Sequence, residues 1–116
     1  MPDASQVVNV PVPGDVWVWT IDDDGGPVTG AIFRLAGGAG YDATCRTDEH
    51  AMSGFLDLPL GAYTISIHSL PANMTFDQAW LDTVPIPGLP HAWPIEPGPA
   101  PSTGPLYTFK VALVRD

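Results

Sequence analysis

Asp22-Asp23-Asp24-Gly25-Gly26-Pro27-Val28-Thr29-Gly30-Ala31-Ile32-Phe33-Arg34-Leu35 is the stretch that decides the fold. Short acidic side chains, paired glycines and a proline make a tight turn over Asp22 to Gly26. The run after it alternates, so Val28 to Leu35 is predicted as a strand with Ala31, Phe33 and Leu35 on one face. Upstream, Val16 to Ile21 alternates with residues of high β propensity and predicts another strand. Downstream, Tyr41 to Thr47 is a strand candidate, Asp48 to Gly54 a loop, and Phe55 to Leu58 a short strand. Gly61 to His68 is a clear strand with Tyr63, Ile65 and Ile67 facing in. Tyr107 to Val114 closes the chain, with Tyr107, Phe109, Val111 and Leu113 on one face.

Between the last two of these strands the pattern weakens. Phe76 to Val84 reads as one short strand or a turn of helix. Pro85 to Pro105 is saturated with proline and reads as irregular or polyproline-like. A long Pro-rich loop is therefore expected at about 71–105, and an extended lead-in over the first ten or so residues. About seven short strands with turn signals between them predict an all-β, antiparallel β-sandwich. The whole chain, 1–116, reads as a single domain.

Composition narrows the function. The chain carries 14 Pro and 12 Gly, which disfavours helices. Net charge is -9 with only four basic residues, too few to neutralise a phosphate backbone or an anionic membrane surface. Neither nucleic acid nor membrane insertion is expected. Cys45 is the sole cysteine, so no internal disulfide forms, and its alternating surroundings read as a strand. Met1-Pro2-Asp3-Ala4-Ser5-Gln6 has no basic and apolar signal region. Either the protein stays inside the cell, or the chain is part of a longer secreted one.

Three sequence blocks, read together, resemble the Cna B-type, SpaA-like, prealbumin-like domain of bacterial surface proteins. They are Asp22 to Leu35, Thr47-Asp48-Glu49-His50-Ala51-Met52-Ser53-Gly54, and Leu58-Pro59-Leu60-Gly61-Ala62-Tyr63. Members of that family read roughly D-x-x-G-x-P-L-x-G-A-x-F-x-L, then T-D-x-x-G, then L-P-x-G-x-Y. The order and spacing match over about residues 15 to 71. The resemblance implies a prealbumin/transthyretin-like sandwich and a non-catalytic structural or interaction module. It implies an extracellular or cell-surface location, and protein partners or neighbouring domains.

Many members of that family join their first and last strands by a Lys–Asn isopeptide bond promoted by a buried acid. A dry pocket favours it by keeping the amine neutral and the acid protonated. By alignment with the family, the lysine position holds Thr20, the acid position Ile67, and the asparagine position falls about at Leu113. Lys110, the sole lysine, points away from the core by alternation, and Asn9 and Asn73 lie outside the last strand. No isopeptide bond is expected. A Thr–Gln ester from Thr20 would need Gln6 or Gln78, which also lie outside that strand.

With Thr20 facing in, Val16 and Val18 face in too, and Trp17, Trp19 and Ile21 face out. An outward tryptophan pair marks contact, because exposed aromatic area is costly. Three occupants are open: the 71–105 segment folded back over the pair, a protein partner or second copy in a homo-oligomer, or a glycan. Trp80, Trp93 and His91, in the same long segment, join the candidate binding set. Asp22, Asp23 and Asp24, with Asp48 and Glu49 beside them, are weak calcium candidates, but the spacing is not that of an EF-hand. No cofactor or metal is otherwise expected. His50, His68 and His91 lack zinc spacing. No nucleophile elbow is present. The chain ends Val114-Arg115-Asp116, without the Tyr-Arg-Gly-Ser ending of hydrolases with a transthyretin-like fold. Asn73-Met74-Thr75 fits a glycosylation sequon. An enzyme is the reading least supported.

Overall fold

A computed structural model describes residues 13–37, 40–96 and 105–115. Among the described residues there are nine strands and no helix. They are β1 (Gly14–Ile21), β2 (Ile32–Gly37), β3 (Asp42–Arg46), β4 (Met52–Leu58), β5 (Gly61–Ser69), β6 (Met74–Leu81), β7 (Val84–Ile86), β8 (His91–Ile95) and β9 (Leu106–Arg115). A five-stranded sheet has the order β4-β1-β9-β6-β7, and a four-stranded sheet the order β3-β2-β5-β8. The β-sandwich is thus as expected, with two more strands. All ladders are antiparallel except β1 with β9, which pair in parallel from Asp15↔Leu106 to Ile21↔Ala112.

The alternation along each strand places the core between the sheets. Val16, Val18 and Thr20 of β1 are buried, as are Phe109, Val111 and Leu113 of β9. Phe33 and Leu35 of β2 and Tyr63 and Ile65 of β5 meet them from the other sheet. Each large apolar side chain withdrawn from water in this way contributes about 1.5–3 kcal/mol.

The segment at about 71–105, expected as a long loop, is instead largely strand. It contains β6, β7 and β8, and only its residues 97–104 lie outside the described set. Two physical reasons hid these strands. A bulge between Phe76 and Gln78 breaks the alternation of β6, so the buried residues are Met74 and Ala79. Pro85 and Pro94 lie in β7 and β8, which are edge strands of their sheets, where a missing N–H costs no ladder bond.

The expected strand over Val28 to Leu35 also begins late, at Ile32. Gly30 sits at φ +94, outside the extended region, and ends the run there. Two buried threonines hold the segment instead. The Thr20 hydroxyl donates to the Val28 carbonyl at 2.6 Å, and the Thr47 hydroxyl donates to the same oxygen at 3.2 Å. Thr47 Oγ1 also accepts the Ala31 N–H at 3.0 Å. Conversely, Met52 to Gly54 were expected in a loop and belong to β4.

The two threonines predict unequal losses. Thr47→Val leaves the buried Ala31 N–H without an acceptor and should cost about 1–3 kcal/mol. Thr20→Val leaves Val28 O still bonded by Thr47 and should cost about 0.5–1.5 kcal/mol. Urea unfolding of both variants checks the ranking; an equal or reversed order refutes this account of the segment.

Candidate functional site

The outer face of the five-stranded sheet carries the exposed aromatic residues. Register places Met52, Trp19, Lys110, Trp80 and Pro85 in one row across β4, β1, β9, β6 and β7. The Lys110 ammonium lies over the Trp19 ring, 5.6 Å from its centroid, and over the Trp80 ring at 5.2 Å. Both indole faces therefore turn to one cation, an arrangement favoured by the ring quadrupole. Trp19 is 40% exposed, and Trp80 is half-buried.

Beside this row opens a groove of about 510 Å³ lined by Trp19, Trp80, Asp82, Thr83, Thr108 and Lys110. Its far wall is the two-residue turn between β6 and β7. Asp82 and Thr83 have φ of 49° and 73°. Two successive positive φ values suit a hairpin of this length, but asparagine and glycine are the residues that adopt them readily. Thr83 is β-branched and strained there. The turn is fixed from the side: Asp82 Oδ1 accepts the Thr108 N–H at 2.9 Å, and the Asp82 N–H donates to the Thr108 carbonyl at 2.9 Å.

Trp17 lies apart from the groove. It is half-buried against β4, where a Cβ on Gly54 would lie 2.9 Å from its ring. The cover that was open to the 71–105 segment is thus supplied to Trp17 by Gly54, its cross-strand neighbour. That segment contributes β6 beside β9, and with it Trp80, to the same face.

Trp93 and His91 are not on this face. Both lie on β8 of the other sheet, and Trp93 is buried between the sheets at 7% exposure. Its ring meets Phe109 edge-on at 4.8 Å and stacks with His91 at 6.3 Å. Grouping them with Trp17, Trp19 and Trp80 therefore fails: proline saturation over 85–105 reads as irregular, whereas β8 runs unbroken through Pro94 and its alternation turns Trp93 and Ile95 into the core.

Thr20 and Leu113 are fully buried on adjacent strands, and Ile67 is partly buried against the core from β5. Thr20 is satisfied by the Val28 carbonyl. Asp22, Asp23 and Asp24 have carboxylate oxygens within 4.8 Å of one another, and Asp48 and Glu49 do not join them. Asp22 Oδ1 is already the acceptor of the Gly26 N–H at 2.8 Å and the Asp24 N–H at 2.9 Å. The Gly26 N–H is the main reason that the Asp22 carboxyl sits below its ordinary pKa. Asp48 is lowered in the same way, chiefly by the His50 N–H and next by that of Met52. Both acids close turns.

Asp82, Thr83 and Thr108 escaped the sequence reading. Lys110 was read as outward, but its seat between two tryptophans follows from strand register. A two-residue Asp-Thr hairpin between alternating runs is the signal that was available, and the bulge in β6 obscured it.

No protein-family model matches the chain, and no curated protein matches it. Solved structures do. The TIE protein of Bacillus anthracis superimposes with a TM-score of 0.65 at 15% identity, covering 90% of this chain and 17% of that one. The major pilin SpaD of Corynebacterium diphtheriae gives 0.65 at 13% identity, covering 89% and 30%. The minor pilin GBS52 of Streptococcus agalactiae gives 0.62 at 15% identity, covering 92% and 46%. This chain thus spans less than half the length of each. The fold is that of the Cna B-type, SpaA-like domains of Gram-positive pilins.

Two outcomes follow. Thr83→Gly relieves a left-handed residue, worth about 1–2 kcal/mol, against about 0.5–1 kcal/mol of extra chain entropy. The net gain of about 0.5–1 kcal/mol should raise Tm by a few degrees; a lower Tm refutes the strain. For Asp22 and Asp48 the folded pKa lies below the unfolded one. Their stabilisation is therefore present above about pH 4 and lost as pH falls through the depressed folded values. The Asp22→Asn/Asp48→Asn double variant, whose amide oxygens still accept hydrogen bonds, should show a flatter fall in urea stability between about pH 5 and pH 3. An unchanged slope refutes the assignment.

Proposed function

We propose that this chain is a non-catalytic structural module of a bacterial surface or secreted protein. In this reading it is one domain of a longer assembly and works extracellularly beside neighbouring domains or subunits. The observation that carries it is the parallel β1–β9 ladder. β1 and β9 are the first and last described strands, and they run side by side through seven registered pairs. Tension applied at the N-terminal side of β1 and the C-terminal side of β9 slides one strand along the other. All seven pairs are then loaded together rather than one after another. The pilin-domain fold supports the same reading.

The module acts without an intramolecular isopeptide bond. Thr20 supplies no amine, Ile67 no acid and Leu113 no amide, and apolar replacement of a buried polar constellation is often neutral or stabilising. Cohesion then rests on the apolar core and on the ladder itself.

Single-molecule stretching from the two ends tests both parts. A resisting peak should be followed by full extension of the segment between β1 and β9, at about 3.3–3.6 Å per residue. Unfolding at negligible force would refute the load-bearing role. A markedly shorter extension would show that the terminal strands are covalently joined.

A further inference from the structure

The mechanical role leaves the groove on the outer face unused. The geometry points to a carbohydrate-binding site there, one that takes a pyranose whose hydroxyls are equatorial, so that its axial C–H bonds form flat apolar faces. This inference is independent of the mechanical role.

The composition of the groove fits that ligand class. Such a pyranose is amphipathic: its faces present axial C–H bonds of positive partial charge, and its rim presents hydroxyls that donate and accept. Trp19 and Trp80 line the groove with indole surface that they share with the Lys110 ammonium, and an indole π-face is negative towards such C–H groups. Lys110 is a donor held between them. Asp82 uses Oδ1 on the Thr108 N–H, and Oδ2 is an acceptor for ligand hydroxyls. Thr83 and Thr108 add hydroxyls that do both. The volume of about 510 Å³ lies within the usual range of small-molecule sites.

A second observation is independent of composition. Thr83 holds a strained left-handed conformation at φ 73° on the wall of this groove, and Asp82 is tied to β9 beside it. Strained residues persist where the surroundings over-determine them, and they concentrate at ligand clamps. An anionic ligand fits less well. Lys110 is opposed by Asp82 within the groove and by the net charge of -9 around it.

The chain has four tryptophans, so four indole N–H resonances serve as reporter and control in one NMR titration. The probes are cellotriose and chitotriose, both β-linked and equatorial. The expected result is a saturable shift of the Trp19 and Trp80 indole signals with at least one trisaccharide, in the millimolar range or tighter, while buried Trp93 stays still. Trp80→Ala should weaken that binding at least about ten-fold, and Trp80→Phe should retain part of it, both with unchanged circular dichroism. Three results would overturn the proposal. One is the absence of any shift with either sugar in the wild-type chain. Another is undiminished binding by a folded Trp80→Ala variant. The third is a concentration-dependent shift of Trp19 and Trp80 without sugar, which would assign the groove to a second copy of the chain. None of these would alter the stretching response, so the two proposals fail separately.

Discussion

Everything in this sandwich is arranged around the parallel pairing of β1 with β9. The two strands lie at the middle of their sheet, with β4 beyond one and β6 beyond the other. Their inner faces supply Val16, Val18, Thr20, Phe109, Val111 and Leu113, all fully buried. Their outer faces supply Trp19 and Lys110, which meet Trp80 on β6. One ladder thus sets the floor of the core, the row of the outer groove and the line along which tension would pass. A parallel pair requires a long crossover, and the seven intervening strands provide it, four forming the second sheet and three joining the sheet of β1 and β9.

The sequence blocks that resemble surface-protein domains have a common physical use: each closes a turn with a side chain. Asp22 gathers the Gly26 and Asp24 amides. Thr47 and Thr20 share the Val28 carbonyl, and Asp48 takes the His50 and Met52 amides. Tyr63, buried on β5, donates its hydroxyl to the Pro59 carbonyl at 2.6 Å, which fixes the corner between β4 and β5. Apart from the Thr47–Val28 bond, which spans 19 residues, these bonds are local.

That locality also explains what was legible beforehand. β1, β5 and β9 alternate without interruption, so period two separates their faces; the outward set Trp17, Trp19 and Ile21 followed once the family resemblance placed Thr20 inward. β6 was obscured by its bulge, and β7 and β8 by prolines that only an edge strand tolerates. The outer groove was half legible. Trp19 could be placed outward from Thr20, but its meeting with Lys110 and Trp80 depends on the register of three strands, which no local pattern encodes. Trp93 was misplaced because the prolines around it hid β8, whose alternation turns Trp93 towards Phe109 between the sheets. The strain at Thr83 is a backbone property, invisible until the hairpin length is known.

The inner and outer faces of the central strands therefore divide the work. The inner face holds the fold together through apolar contact and the Thr20–Val28 hydrogen bond, at the position that the family resemblance assigns to a crosslinking lysine. The central claim is that this cohesion is non-covalent. Intact mass of the purified protein tests it most directly. A mass equal to that of the amino-acid sequence is the predicted result. A deficit of one ammonia or one water would reveal an amide or ester bond within the chain and contradict the account.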